Sequence, residues 1–248
     1  MLTNYHTHTV FCDGKDTPEE MVLRAIELGM GEIGFSSHSY TFFDTGYCMS
    51  KEDTETYKST VRELGDRYSD RIKVLLGVEQ DYFSLESTDD YEYVIGSVHY
   101  VLKNGIYIPV DESKEIQIKA VEEHYGGDFY AFIEDYYKLV GDVSKKTGCD
   151  IIGHFDLITK FNEKGDLFDT TSKRYVDAVR GALGSLCDSS AVFEINTGAM
   201  SRGYRTQPYP SKEIIDFLKE RGKKLIFSSD CHAKENLLHG YDAYKVLI

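Results

Sequence analysis

Thr17-Pro18-Glu19-Glu20-Met21-Val22-Leu23-Arg24-Ala25-Ile26-Glu27-Leu28-Gly29, followed closely by Glu32-Ile33-Gly34-Phe35-Ser36-Ser37-His38, decides the fold. Thr17 offers an N-cap hydroxyl, Pro18 takes the first helical position, where a missing N–H costs nothing, and Glu20 closes a capping box. Met21, Val22, Ala25, Ile26 and Leu28 fall on one face and Gly29 ends the run, so the spacing predicts a helix over 17–28. Glu32 to Ser36 is apolar, too short for a helix and followed by polar residues. It predicts a buried strand with a histidine beyond its carboxyl end.

The same unit recurs along the chain. Strands are predicted at Leu2–Tyr5, Lys73–Val78, Tyr93–Val98, Cys149–Gly153, Ala191–Ile195 and Lys224–Phe227, and helices at 51–68, 113–124, 129–146, 172–186 and 211–221. Seven short, continuously apolar strands alternating with helices make an α/β fold whose parallel sheet is covered on its outer face and closes into a barrel. Residues 82–91 and 101–112 have no assigned place in that alternation. No linker, repeat or break in composition divides the chain, so a single domain over 1–248 is expected.

With 41% hydrophobic and 28% charged residues and no long uncharged apolar run, the 248 residues predict a soluble globular chain and exclude a collagen, a disordered tail or a membrane span. The 42 acidic residues against 28 basic ones give a net charge of −14, which repels nucleic acid and anionic membranes. An anionic small substrate would need local positive charge, and bound cations are one source of it. Five scattered cysteines without a C-x-x-C pair fit a reducing compartment, and the N-terminus shows neither a basic nor an apolar leader, so a cytoplasmic location is expected. Nothing in the sequence sets the oligomeric state.

Metal-capable residues fall at the strand ends. His6 and His8 follow the first strand, His38 the second, Glu79 the third, His99 the fourth and His154 the fifth; Glu194 lies at the end of the sixth, and Asp230 and His232 follow the seventh. In an α/β barrel those ends open on one face, where residues distant in sequence converge. Imidazole with carboxylate suits Zn, Mn or Fe, and the lack of clustered thiolates argues against an iron–sulfur site. In the extended segment His6-Thr7-His8 alternate side chains share a side, so both rings can chelate one ion; Asp230-Cys231-His232 repeats the pattern. Cys12 and Cys231 read as small packed hydrophobes, because no Cys–His–Asn arrangement accompanies them.

The sequence resembles the polymerase-and-histidinol-phosphatase (PHP) family, and within it the monofunctional histidinol-phosphate phosphatase branch. The resemblance rests on His6-Thr7-His8-Thr9, Phe11-Cys12-Asp13-Gly14, Gly34-Phe35-Ser36-Ser37-His38-Ser39, Gly77-Val78-Glu79, Gly96-Ser97-Val98-His99, Gly153-His154-Phe155-Asp156, Glu194-Ile195-Asn196-Thr197 and Ser229-Asp230-Cys231-His232, and runs from His6 to about His239. It implies a distorted (β/α)7 TIM-like barrel with two or three divalent transition-metal ions. On the family pattern His6, His8, Glu79 and Asp230 hold one ion, Glu79 bridges to a second held by His99 and His154, and Asp13, His38 and His232 hold a third. Asp13 stands where many relatives carry histidine, as it does in this branch. Ser37 stands where relatives often have Asp.

Phosphate needs positive partners besides metals. Arg202, after the sixth strand, offers a planar fork, Lys160 a point charge, and Arg205 is the fallback for Arg202. Glu194 reads as an acceptor for a ligand imidazole N–H; His124, within a predicted helix, and His239, in the tail, read as structural. Tyr40, Tyr82, Tyr100 or Tyr204 would wall an imidazole-bearing substrate. The resulting expectation is hydrolysis of a small phosphate monoester, L-histidinol phosphate, by a metal-bound hydroxide, with Glu79, Asp230 and His232 as the catalytic residues. Asp230 or His232 would protonate the leaving alkoxide. The rival readings are another phosphoesterase of this architecture, acting on phosphotyrosine, nucleotides or sugars, and a metal-binding regulatory barrel without turnover. The charge of −14 argues against an exonuclease, and the completeness of the ligand set argues against lost turnover.

Overall fold

Pro18–Glu27 (α1) forms as its capping box predicts. The Thr17 hydroxyl accepts from the Glu20 N–H, the Glu20 carboxylate accepts from the Thr17 N–H, and Met21, Val22 and Ala25 are buried. In the computed structural model, which describes residues 1–248, Thr3–Asn4 (β1) precedes α1. Glu32–Phe35 (β2), Lys51–Arg67 (α2), Lys73–Asp81 (β3) and Tyr93–Ser97 (β4) follow it. Then come Tyr100–Lys103 (β5), Ile106–Pro109 (β6), Lys114–Tyr125 (α3), Phe129–Thr147 (α4), Ile151–Ile152 (β7) and Lys173–Leu186 (α5). Val192–Asn196 (β8), Gly198–Ser201 (α6), Lys212–Glu220 (α7), Leu225–Ser228 (β9) and Tyr241–Tyr244 (α8) complete the chain. No helix is long and apolar enough to cross a membrane.

Seven strands run parallel in the order β1-β2-β3-β4-β7-β8-β9. Beyond β1 and β9 Thr7 pairs with Cys231 in parallel, and the His8 N–H donates to the Cys231 carbonyl at 2.9 Å. The first and last strands thus meet at their carboxyl ends, and the sheet is a nearly closed, distorted (β/α)7 barrel. Its strands alternate between two layers. Val74, Leu76 and Val78 of β3 join the core between strands and helices, with Tyr57, Val61 and Leu64 of α2, whereas Leu75 packs inside the ring against a small cluster of Tyr93, Ile95 and Ile151.

Tyr93 builds the floor of the ring. Its hydroxyl donates to the carbonyls of Tyr5 at 2.6 Å and Phe35 at 3.0 Å. Its ring fills the space a Cβ would need at Gly34 and Gly77, which would stand 2.3 and 2.2 Å from the phenol. Above this floor the inward rows turn polar: Leu75, Gly77 and Glu79 succeed one another along β3, and Val192, Glu194 and Asn196 along β8. The barrel therefore presents an apolar base and a polar carboxyl end, built from the same strands.

The structure departs from expectation in three places. β3 continues to Asp81, so Glu79 lies within the strand rather than after it. β1 and β7 are only two residues each, shorter than the expected Leu2–Tyr5 and Cys149–Gly153. Most of residues 101–112, left unassigned, belongs to an antiparallel hairpin, β5–β6, turning at Asn104 and Gly105 with φ of 52° and 80°. Asn-Gly between two apolar runs is the signature of such a turn.

Candidate metal centre

Glu79 stands at the centre of the polar end. Its carbonyl accepts the Ser39 N–H at 3.0 Å and its backbone bridges to His38, so pairing with the segment after β2 carries β3 past Val78 and fixes Glu79 inside the ring. Glu79 Oε2 lies 3.1 Å from His6 Nε2, 3.4 Å from His8 Nε2 and 3.0 Å from His38 Nδ1. Glu79 Oε1 lies 2.9 Å from His154 Nε2 and 3.4 Å from His99 Nε2, and accepts the Ser97 hydroxyl at 2.6 Å. Five imidazoles thus face one buried carboxylate.

Asp230 completes the first group, with Oδ1 3.2 Å from His8 Nε2 and 3.7 Å from His6 Nε2. Its φ of 44° lies in the left-handed region, and the carboxylate fits only because Gly198 lacks a Cβ, which would stand 2.5 Å from Asp230 Oδ2. A third group forms at the rim, where Asp13 lies 3.1 Å from His232 Nε2, 3.7 Å from His38 Nε2 and 3.8 Å from His8 Nδ1. The sets His6/His8/Glu79, His38/Glu79/His99 and His8/Asp13/His38/His232 each bring their donor atoms within 4.8 Å of one another.

The donor chemistry fits divalent cations. His6 Nε2, His8 Nε2 and Glu79 Oε2 are buried and make no hydrogen bond, which is costly for polar atoms unless something else satisfies them. Burial together with the neighbouring His232 and His38 pulls His8 down to about 3, leaving a neutral ring with a free lone pair. Burial alone would push Glu79 up, but His6, His38 and His99 outweigh it and hold the carboxyl well below its usual range. Burial would lower His6, His38 and His99, but the carboxylates facing them outweigh it and raise all three, so these rings would give up a proton to a bound cation. Imidazole combined with carboxylate is a borderline-metal donor set.

A second layer of acceptors orients these rings. Glu194 accepts from His6 Nδ1 at 2.9 Å, from the His154 N–H at 2.7 Å and from the Asn196 amide at 2.7 Å. Asp81 accepts from His99 Nδ1 at 3.2 Å. The bonds from His6 Nδ1 and His99 Nδ1 place those ring N–H groups outward and aim the other nitrogen at the cluster. Glu194 therefore stands as the acceptor its sequence position suggests. Asp81 is additional: it lies two residues beyond Glu79 on the same strand face, a relation that emerges only once β3 is extended to Asp81.

A cavity of about 280 Å³ opens over the cluster, lined among others by Asp13, His38, Glu79, His99, His154, Arg202, Asp230 and His232. Arg202 Nη2 lies 3.3 Å from Asp230 Oδ2, and Nη1 is 3.0 Å from the His232 ring. Lys160 does not line the cavity, because its ammonium is bound to the Asp111 carbonyl at 2.7 Å and carboxylate at 3.0 Å. Arg205 turns away to Thr159, with 2.9 Å to its carbonyl and 2.7 Å to its hydroxyl. Of the expected aromatic walls Tyr100 lines the cavity; Tyr40, Tyr82 and Tyr204 do not, and Tyr47 takes their place. Tyr82 is held instead by Asp142 at 2.8 Å. Neither His124 nor His239 lines it, and burial with Asp13 nearby pushes the Cys12 thiol up to about 11, away from a thiolate nucleophile.

A parallel α/β barrel with a buried imidazole–carboxylate cluster under a cavity at its strand ends defines a metal-binding barrel of the hydrolytic kind. The chain belongs to the PHP family: the PHP domain matches residues 4–198. It is 27% identical over 267 residues to a "Probable histidinol-phosphatase" of Schizosaccharomyces pombe, covering 99% of this chain and 85% of that protein. The crystal structure of hisK from Listeria monocytogenes, a candidate histidinol phosphatase, superposes with a TM-score of 0.85 at 23% identity, covering 98% of this chain and 100% of that one. Histidinol phosphate phosphatase (HISK) from Lactococcus lactis subsp. lactis, complexed with Zn, L-histidinol and phosphate, superposes with a TM-score of 0.73 at 21% identity over 99% of this chain and 92% of that one.

Proposed function

We propose that this chain is a metal-dependent phosphatase that hydrolyses L-histidinol phosphate to L-histidinol and phosphate in histidine biosynthesis. The observation that carries the reading is the single buried carboxylate of Glu79 facing five imidazoles directly beneath a cavity that also holds Arg202. The curated relatives support the substrate, since they share that activity in name along nearly the whole chain. So does the Lactococcus lactis enzyme, which binds Zn, L-histidinol and phosphate.

His6, His8, Glu79 and Asp230 would hold one ion, Glu79 with His99 and His154 a second, and Asp13, His38 and His232 a third. Divalent ions bound there would acidify water, orient the phosphoryl group and offset its charge. The protein's own groups do the rest. Arg202 meets the phosphate with a planar pair of donors. Burial would favour a neutral Asp230, but Arg202, His6 and His8 outweigh it and keep the carboxyl well below its usual range, so Asp230 stays ionised and is not the proton donor to the leaving alkoxide. His232 lies between Asp13 and Arg202 at the rim of the cavity, and is the candidate to protonate the leaving alkoxide.

The substrate is a small phosphate ester; a polyanionic nucleic acid would meet the chain's charge of −14. Five unpaired cysteines favour a reducing, cytoplasmic setting, and we treat residues 1–248 as one catalytic domain. Phosphate release from L-histidinol phosphate, p-nitrophenyl phosphate, phosphotyrosine and a sugar phosphate, each with Zn or Mn and with chelator, tests the reading. We expect L-histidinol phosphate to have the highest kcat/KM and chelation to abolish turnover. Absence of phosphate release from every ester in metal-replete protein would replace it with a non-catalytic barrel.

A further inference from the structure

Three carboxylates line the cavity outside the metal groups: Asp44, Asp111 and Glu112. Asp111 is neutralised by Lys160 at 3.0 Å, and Glu112 is exposed. Asp44 differs from both, because each of its oxygens is fixed by a donor. The Tyr100 hydroxyl donates to Oδ2 at 2.8 Å and the Gly46 N–H to Oδ1 at 3.1 Å. A carboxylate offers about four acceptor directions, so roughly half remain open.

The surroundings hold that carboxylate still. Phe43, its neighbour in sequence, stacks on Tyr107 of the β5–β6 hairpin at 3.6 Å between ring centres and stands edge-on to Tyr100 at 4.8 Å. Tyr47 spans the distance to the metal groups, with its ring 4.8 Å from His38 and 6.2 Å from Tyr100. Asp44 thus sits beside two aromatic walls in the same cavity as the phosphate-binding groups. Aromatic faces with one oriented acceptor suit a flat ring bearing an N–H.

We infer that Asp44, flanked by Tyr47 and Tyr100, is the specificity-determining residue that accepts the imidazole N–H of the substrate. The inference rests on L-histidinol phosphate being the substrate and deepens that reading. It explains why the cavity recruits the hairpin: Tyr100 orients Asp44, and Tyr107 clamps the loop that carries it.

The test compares two substrates in metal-loaded protein. Asp44→Asn keeps the shape but replaces one acceptor oxygen with a donor NH2. It should lower the ratio of kcat/KM for L-histidinol phosphate to that for p-nitrophenyl phosphate roughly tenfold to a hundredfold, the worth of one charge-assisted hydrogen bond. The loss should appear in KM. L-histidinol, which lacks the phosphate, should inhibit p-nitrophenyl phosphate hydrolysis, and its inhibition constant should rise by a similar factor. Tyr100→Phe, which leaves Asp44 charged but unoriented, should shift both quantities in the same direction by less. A parallel fall on both substrates, or an unchanged ratio, would overturn the assignment to Asp44. Wild-type protein that cleaves p-nitrophenyl phosphate but neither cleaves L-histidinol phosphate nor is inhibited by L-histidinol would instead overturn the substrate on which it rests.

Discussion

Glu79 shows how one residue can bind several elements into a site. Its two oxygens face different imidazoles, His6, His8 and His38 on one side and His99 and His154 on the other, so its loss should empty two groups at once. Glu79→Gln should lower bound metal by more than one ion per chain on elemental analysis and reduce turnover beyond the roughly 10–100-fold that losing an outer-layer partner costs. Glu194→Ala, which removes the acceptor for His6 and His154, should fall within that roughly 10–100-fold range in metal affinity and keep measurable activity at high metal. Arg202→Lys keeps charge but loses the planar fork. Its kcat/KM should drop about tenfold to a hundredfold on any phosphate ester, because Lys160 and Arg205 are committed to Asp111 and Thr159 and offer no substitute. Equal kcat/KM in Arg202→Lys and wild type would mean that Arg202 does not grip phosphate.

At the scale of elements, legibility followed chemical contrast. Capped amphipathic helices and apolar strands stood out because burial imposes a period, and the strand-end histidines stood out because polar residues there break the apolar run. Three features escaped. The extension of β3 to Asp81 depends on pairing with the segment after β2, a tertiary contact with no local period. The loop carrying Asp44 and Tyr47 has no regular pattern at all, so its place in the cavity follows only from the clamp against the hairpin. The hairpin itself was readable from Asn104-Gly105 between Tyr100-Val101-Leu102 and Ile106-Tyr107-Ile108, but the expected alternation of strand and helix left no slot for it. The barrel floor offers a test of element packing. Gly77→Ala would place a Cβ 2.2 Å from the Tyr93 ring and displace a hydroxyl bonded to Tyr5 and Phe35. Overpacking of this kind costs about 1–3 kcal/mol, to be read as a lower urea midpoint at unchanged m-value; an unaltered midpoint would show that Tyr93 has room to move.

Across the whole molecule the cluster ties the ends of the chain together. His6 and His8 near the start face Asp230 near the end, while Glu79, His99 and His154 come from three strands between them. Ions held there would link β1, β3, β4, β7 and β9 in the folded state but find no such array in the unfolded chain, so metal binding should appear as folding stability. At free metal about 100-fold above the dissociation constant, one site adds about 2.7 kcal/mol. For a chain of roughly 250 residues that corresponds to about 5–11 °C in Tm. The sign with pH follows from competition: the imidazoles of His6, His38 and His99, raised by the carboxylates facing them against the effect of burial, must shed protons to bind, so the metal-dependent part of Tm should grow from pH 5.5 to 7.5 and shrink on acidification. Differential scanning calorimetry of chelated and Zn-loaded protein at these two pH values measures it directly. Glu79→Gln should lose most of the increment at both. A Tm that is the same with and without metal at pH 7.5 would show that the barrel closes without cations, and would count against the cluster as a place where metal is held.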